Sequence, residues 1–299
     1  MGSPDFAVPA LRSLAAEYAV VGVVSQPDRP AGRGMTLTPP PVKVAALELG
    51  IPLIQPEKLK EPGVFEQLSA WAPDLIVVAA FGQLLRKNVL ELPRYGCVNI
   101  HASLLPKHRG AAPIQAAILA GDELAGVTIM KMDEGLDTGP MIKQASFKMA
   151  ADETGGSLFG KLSSLGGELL MQTLPGYLSG ETIPTPQPTE GMSYFGMIKK
   201  EDGQLNLNEP LAVLERKVRA YSPWPGTSLQ LEGWAAVLKV RKVSMQPGRA
   251  KIGWRKVVAG LPAVAAADGW LLLEELQPAG KKAMAGKAFL AGYKDWDTE

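Results

Sequence analysis

The sequence contains few of the side chains that enzymes most often use for catalysis or for metal binding. It has one cysteine, Cys97, and two histidines, His101 and His108, among its 299 residues. A single cysteine excludes an internal disulfide and a cysteine-based zinc site. Its place at the start of an apolar run indicates a buried thiol rather than a nucleophile. Two histidines alone do not supply a metal-ligand set, so we expect no metal.

Long apolar segments are also missing from the chain. No hydrophobic run approaches the roughly 18 residues that a membrane-spanning helix requires. The first residues lack the basic and apolar regions of a secretory signal. We therefore expect a cytoplasmic protein without a membrane partner. Hydrophobic residues make up 46% of the chain and charged residues 20%, as in globular proteins, and the length fits about two domains.

Net charge is small, but it is unevenly distributed. The whole chain carries +1 at pH 7, whereas residues 199–299 hold 16 Lys and Arg against 11 Asp and Glu, a balance of +5. A basic final third favours a polyanionic partner. A solvated basic surface explains the same count equally well.

The first half of the chain alternates short apolar runs with helix-like segments. The apolar runs are 19–25, 51–54, 75–81, 97–101 and 127–132, and the helix-like segments between them are 9–17, 43–49, 63–71 and 112–120. Another helix-like segment, 157–174, follows. This alternation predicts a doubly wound, mostly parallel α/β sheet. Ligands bind such sheets outside the carboxyl ends of the strands. A proline-rich stretch, 26–41, interrupts the alternation and predicts a long loop at one of those ends.

A change of composition predicts the domain boundary. Residues 180–190 are rich in proline and threonine, and the following residues are polar. We expect a first domain over 1–190, a linker over 191–208 and a second domain over 209–299. Strand-like runs in the second domain, at 227–231, 235–243, 263–266 and 269–276, predict a small OB-like β-barrel.

The candidate site lies in the run that contains both histidines. Asn99 and His101 are two residues apart in a strand-like segment, so their side chains face the same way. An amide beside an imidazole suits stabilisation of the oxyanion that forms in acyl transfer. Asp137, in a glycine-flanked loop, is a candidate to orient the imidazole. His108, between a lysine and an arginine, is expected in an exposed, non-catalytic loop.

Other uses of these residues stay open at this point. An Asn-x-His pair is a weak motif, and it also fits a histidine that only packs in the core. Ser103 is unfavoured as a hydrolytic nucleophile, because no G-x-S-x-G motif is present. The G-x-G-x-x-G and G-x-x-x-x-G-K-[ST] phosphate motifs are absent as well. With no neighbouring nucleophile, direct attack by a substrate amine is favoured over a covalent enzyme intermediate.

Longer motifs resemble the methionyl-tRNA formyltransferase family. The run Asn-Ile-His-Ala-Ser-Leu-Leu-Pro, 99–106, is similar to the folate-dependent formyltransfer signature of that family. Five further segments match the branch that acts on tRNA, and together they span nearly the whole chain: 26–34, 109–115, 135–139, 219–225 and 276–282.

The resemblance implies formyl transfer from 10-formyltetrahydrofolate to the α-amino group of methionine on initiator tRNA. It implies that Asn99, His101 and Asp137 are catalytic. It places the folate co-substrate against Ser103, Leu104, Leu105, Pro106, Phe81, Gly82, Leu84 and Leu85. It assigns tRNA contacts to Arg29 and Arg33 and, in the basic second domain, to Lys281 and Lys282. It implies no metal, and we expect a monomer.

One departure from the family concerns the first strand. Family members have a short apolar strand before the segment that here begins Met-Gly-Ser-Pro-Asp-Phe, at 1–6. That strand would be central in the sheet, so we expect its absence to leave two strand edges unpaired. We also expect roughly eight further residues upstream, by the usual length of a strand. Two alternatives remain: a formyltransferase for a small amine, and a non-catalytic RNA-binding relative.

Overall fold

The computed structural model describes residues 1–32, 34–234 and 237–297. Arg33, and residues 235 and 236 of one predicted strand, lie outside the described residues. The chain forms two units. The first contains residues 1–113, 123–149 and 159–196, and the second contains residues 114–122, 150–158 and 197–299. No helix in the described part of the chain is both long enough and apolar enough to cross a membrane.

The described residues of the first unit form ten strands. They are β1 (Val23–Val24), β2 (Arg29–Ala31), β3 (Thr36–Thr38), β4 (Leu53–Ile54), β5 (Ile76–Val78), β6 (Cys97–His101), β7 (Arg109–Gly110), β8 (Leu124–Lys131), β9 (Met141–Lys148) and β10 (Tyr194–Phe195). Six helices accompany them along the chain, two of which, α5 and α6, also contribute residues to the second unit. They are α1 (Val8–Glu17), α2 (Pro41–Glu48), α3 (Val64–Ala70), α4 (Lys87–Leu90), α5 (Pro113–Ala120) and α6 (Gly155–Ser179). The predicted α/β class is confirmed.

Strand pairing combines both directions. β1 pairs with β4 and β5 pairs with β6 in parallel, whereas β6, β8 and β9 pair antiparallel. An antiparallel edge on a parallel sheet is common, and the short connection between β8 and β9 allows only an antiparallel pair. The 26–41 stretch, expected to be a loop, instead contains the antiparallel hairpin of β2 and β3.

The first two residues lie between β1 and β5. Gly2 forms a parallel bridge with Ala79, and its backbone N–H donates to the Val24 carbonyl at 3.0 Å. The Met1 ammonium donates to the Val77 carbonyl at 2.6 Å. Beside these residues is a cavity of about 480 Å³, lined largely by apolar side chains of the 18–24 and 71–79 segments. Backbone hydrogen bonds thus join Met1 and Gly2 to both β1 and β5.

The second unit is built on an antiparallel six-stranded sheet. Its strands are β11 (Thr227–Leu229), β12 (Leu238–Pro247), β13 (Arg255–Val258), β14 (Leu261–Ala266), β15 (Gly269–Gln277) and β16 (Met284–Ala285). The order is β11-β12-β15-β14-β13, with β16 beside β15. Two further helices, α7 (Leu211–Ala220) and α8 (Gly286–Gly292), contact this sheet. Its core includes Leu214, Leu271 and Phe289.

The predicted linker, 191–208, contains regular structure. Tyr194 and Phe195 form β10, which pairs in parallel with β7 of the first unit. Residues Lys200–Gly203 form a 3-10 helix in the second unit, and the Leu205 N–H donates to the Ser228 carbonyl at 2.9 Å. β10 therefore lies next to the segment that follows the candidate site.

Candidate active site

Asn99 and His101 lie on β6, in the middle of the pairing between β5 and β8. Asn99 is opposite Val78 on one side and Met130 on the other, and His101 is opposite Thr128. The ring of His101 is buried, with 5% of its surface exposed. Asn99 is half-buried, and its side-chain amide has no hydrogen-bond partner among the described residues. The amide is therefore available to a ligand on the same face as the imidazole.

Two contacts define the state of the His101 ring. Its Nε2 atom is 3.0 Å from the His108 carbonyl oxygen, and its Nδ1 atom is 3.7 Å from Oδ1 of Asp137. A carbonyl only accepts hydrogen bonds, so Nε2 carries the proton. Burial lowers the pKa of His101 below its ordinary value, and the charge of Asp137 opposes this shift. The neutral ring thus holds a lone pair on Nδ1, next to a carboxylate.

Asp137 lies in the loop between β8 and β9 and has a positive φ of 53°. Its Oδ2 atom accepts a hydrogen bond of 2.8 Å from the backbone N–H of Gly110. Gly110 itself has a φ of 105°, and a Cβ there would lie 2.4 Å from the Phe195 carbonyl oxygen. Only glycine fits both this conformation and this close approach. The structure therefore brings all three predicted catalytic residues together.

The turn after His101 is held by polar contacts. Ser103 Oγ donates to the Lys107 carbonyl at 2.6 Å, so its hydroxyl is already in use within the turn. The Leu105 N–H donates to Thr128 Oγ1 at 3.1 Å, and Thr128 in turn donates to the Ser103 carbonyl at 2.7 Å. Gln144 donates to the Leu105 carbonyl at 2.9 Å. These bonds fix the backbone of the predicted folate segment relative to β8.

The predicted folate-site residues differ in accessibility. Phe81, Leu85, Ser103 and Leu105 are buried, whereas Leu104 and Pro106 are half-buried and Gly82 is exposed. Leu84 is 76% exposed, which is unusual for a large apolar side chain. It follows β5, whose carboxyl end adjoins that of β6. Leu84 is therefore accessible to a ligand at this end of the sheet.

Sequence reasoning missed part of this site. His108 was expected in an exposed loop, which is wrong: it is 8% exposed, and its carbonyl contacts His101. Arg109 is also buried, and it contacts Gln187. One missed signal was Gly110, because a glycine at that position indicates a close approach of two backbone segments. The other missed feature was β10, which lies in the segment that was predicted to be a linker. Cys97 is buried as predicted, and burial raises its pKa to about 12.

The predicted tRNA contacts fall in both units. Arg29 lies on β2 and forms an exposed ion pair of 2.6 Å with Glu57. Such exposed pairs contribute little, so Arg29 can exchange this partner for a phosphate at small cost. Lys281 and Lys282 are exposed in the second unit, after β15. Arg33 lies outside the described residues.

Comparison with known proteins adds independent information. A family model described as formyl transferase matches residues 5–174, and one described as formyl transferase, C-terminal domain, matches residues 197–294. The methionyl-tRNA formyltransferase of Myxococcus xanthus is 49% identical over 98% of this chain and 94% of that protein. The enzyme of the same name from Halorhodospira halophila is 49% identical over 98% of this chain and 95% of that protein.

A solved structure shares the fold. It is an N-formyltransferase from Helicobacter canadensis in complex with folinic acid and dTDP-3-aminofucose. It superposes with a TM-score of 0.67 at 18% identity, over 93% of this chain and 97% of that chain. At this identity the likeness shows the fold alone.

Proposed function

Because the chain belongs to the methionyl-tRNA formyltransferase family, we propose that it transfers a formyl group from 10-formyltetrahydrofolate to the α-amino group of methionine on initiator tRNA. In this proposal Asn99, His101 and Asp137 carry the chemistry. The supporting observation is the unpartnered Asn99 amide on the same face of β6 as His101, whose Nδ1 atom is 3.7 Å from Asp137. This arrangement suits attack by an amine without a covalent enzyme intermediate.

The substrate amine is a competent nucleophile near neutral pH. An unperturbed α-amino group has a pKa of about 7.7–8.0, so a free-base fraction exists at pH 7. Its lone pair forms the new C–N bond with the formyl carbon, and the carbonyl electrons move to oxygen. Asn99 donates a hydrogen bond to that oxygen as its negative charge develops. The amide does so without giving up a bond within the protein.

His101 moves the proton in this scheme. Its Nδ1 lone pair accepts the proton that the attacking amine must lose, and Asp137 stabilises the resulting imidazolium. The protonated ring is then a second donor towards the oxyanion. When the carbonyl re-forms and the bond to the folate nitrogen breaks, His101 returns the proton to that leaving nitrogen. The His108 carbonyl accepts from Nε2 throughout, so only Nδ1 gains and loses the proton.

We propose that the folate co-substrate binds beside this site, with its ring system against Leu84, Gly82 and the turn 103–106. The exposure of Leu84 and the hydrogen-bonded backbone of the turn support this placement. Phe81, Leu85 and Leu105, which are buried, are assigned to the same part of the site. When bound, the co-substrate supplies the activated formyl group, and the protein residues orient it towards Asn99.

A labelling experiment tests the proposed activity. The protein is incubated with labelled 10-formyltetrahydrofolate and charged initiator tRNA, and separately with free methionine or small amines. We expect label on the tRNA only. Label on a small amine would instead support a formyltransferase for small substrates, and no label on any acceptor would support a non-catalytic RNA-binding protein.

Replacement of Asp137 by Asn tests the electrostatic part of the site. The negative charge of Asp137 raises the pKa of His101 against the effect of burial. We therefore expect Asp137→Asn to lower kcat. In a plot of kcat against pH, the acid limb should move to lower pH. In the unaltered protein we expect that limb below the ordinary pKa of histidine, because burial lowers the pKa of His101. An acid limb that moved to higher pH would contradict this assignment.

Arg33→Ala tests the proposed contact with tRNA. Loss of one phosphate contact is expected to raise KM for tRNA and to reduce the salt dependence of kcat/KM by about one unit of slope. KM for the folate should stay unchanged. Lys148→Ala, which removes one exposed positive charge from β9, is the charge-matched control. Weakened folate binding in Arg33→Ala would argue against this contact.

A further inference from the structure

Gln187 links two segments of the active site. Its Nε2 atom donates to the carbonyl oxygens of Asp137 and Gly139, at 2.8 Å each. Its Oε1 atom accepts from Arg109 Nη2 at 2.7 Å and from Nε at 3.0 Å. Four hydrogen bonds of good length thus use both donors and both lone pairs of one amide. The amide lies between the Asp137 loop and β7.

Arg109 is a rigid support for this amide. Its side chain is buried, and the guanidinium also donates to Tyr194 Oη and approaches Met192 Sδ, both at 3.0 Å. The Tyr194 ring lies 5.6 Å from the guanidinium carbon. These partners and Gln187 are uncharged, so the planar guanidinium is held by geometry rather than by an opposite charge.

The same two segments are joined a second time at the catalytic carboxylate. The Gly110 N–H donates to Asp137 Oδ2, and Gly110 is the residue after Arg109. The β7 segment therefore contacts Asp137 at its side chain directly and at its backbone through Gln187. A loop residue with positive φ needs such support to keep one orientation. Without the Gln187 bonds, the carboxylate would keep the Gly110 bond and the His101 contact, but the backbone of Asp137 would lose its link to Arg109.

We propose that Gln187 is a positioning residue, which fixes the Asp137 loop against Arg109 so that the carboxylate stays beside His101. This inference rests on the proposed function, because it gives Asp137 its role in formyl transfer. It also assigns a role to residues 180–190, whose composition indicated only a connector. Thr185 supports the assignment, since its backbone pairs with that of Met141 at the start of β9.

Two substitutions at Gln187 separate positioning from folding. Gln187→Ala removes all four bonds, whereas Gln187→Glu keeps an acceptor for Arg109 and loses both donors to the loop. We expect both to lower kcat about tenfold to a hundredfold, with KM for each substrate nearly unchanged. Gln230→Ala removes a glutamine that donates to the Trp234 carbonyl in the second unit, and it is the matched control.

Combination with Asp137→Asn identifies the route of the effect. If Gln187 acts through Asp137, Gln187→Ala should cause little further loss of kcat in the Asp137→Asn background. Multiplicative losses in the double variant would overturn the proposal. Unchanged kcat in both folded single variants would overturn it as well.

A titration of the histidine rings by NMR gives a readout that does not need activity. The chain has only two histidines, so the ring signals of His101 can be assigned with one substitution. We expect Gln187→Ala to lower the pKa of His101, because the Asp137 charge moves away from the ring. An unchanged titration would overturn positioning by Gln187. A wild-type protein that titrates as expected but formylates no tRNA would count against the proposed function instead.

Discussion

Replacement of His101 by Ala is expected to lower kcat about a hundredfold or more, with little change in KM for the folate. The loss follows from the position of the ring: Nε2 is bound to the His108 carbonyl, so Nδ1 is the only nitrogen that can receive the amine proton. Asp137 would also lose the cation that it stabilises. Single-turnover formylation of charged tRNA, measured at saturating folate, reports this step directly.

The other histidine provides the matched control. His108 contacts His101 through its backbone carbonyl and has a φ of 57°, a conformation that asparagine tolerates well. His108→Asn should therefore keep the ring of His101 in place and cost much less than His101→Ala. Asn99→Ala should lose about as much as His101→Ala, since it removes the amide donor to the oxyanion. A His101→Ala enzyme with the unaltered rate would remove the imidazole from the mechanism.

The strand that carries the site could be predicted from the sequence because it is both apolar and short. Residues 97–101 form β6 at the bounds that the pattern indicated. The spacing of Asn99 and His101 then sets both side chains on one face. Asp137 could be suggested from its glycine-flanked loop and from the family motif, but a loop has no periodicity that places it beside the strand.

The rest of the site depends on contacts that are distant in sequence. Arg109 meets Gln187 across 78 residues, and the His108 N–H donates to Ser193 across 85. Pairing of β7 with β10 brings these partners together, and strands of two residues leave no hydrophobic pattern to detect. β9 was missed for a related reason, because its exposed positions alternate with half-buried ones and carry polar side chains.

The cavity beside Met1 predicts a large effect on stability. The ammonium of Met1 is buried there, and desolvation lowers its pKa to about 6. Suppose that five valine and isoleucine residues, in a Val-Ile-Val pattern, are added before Met1. The positively charged terminus would then move out of the cavity. The added residues would also extend the backbone pairing that Gly2 begins between the β1 and β5 edges. Backbone groups on both edges would then gain partners.

We expect the extended protein to unfold at a higher temperature. Burial of about three apolar side chains contributes about 1.5–3 kcal/mol each, and ordering the added backbone costs about 1–2 kcal/mol per residue, partly offset by the new hydrogen bonds. A net gain of about 2–4 kcal/mol corresponds to a rise in Tm of about 3–6 °C for a protein of this size.

A second extension of equal length separates filling of the cavity from the mere loss of the terminal charge. A Gly-Ser-Glu-Ser-Gly segment moves the ammonium by the same number of residues but has no apolar side chains to bury. The apolar extension should raise Tm well above that of the polar one, as measured by calorimetry at the same pH. It should also protect the amides of β1 and β5 from hydrogen exchange. Equal Tm values for the two extensions would show that no strand enters the cavity.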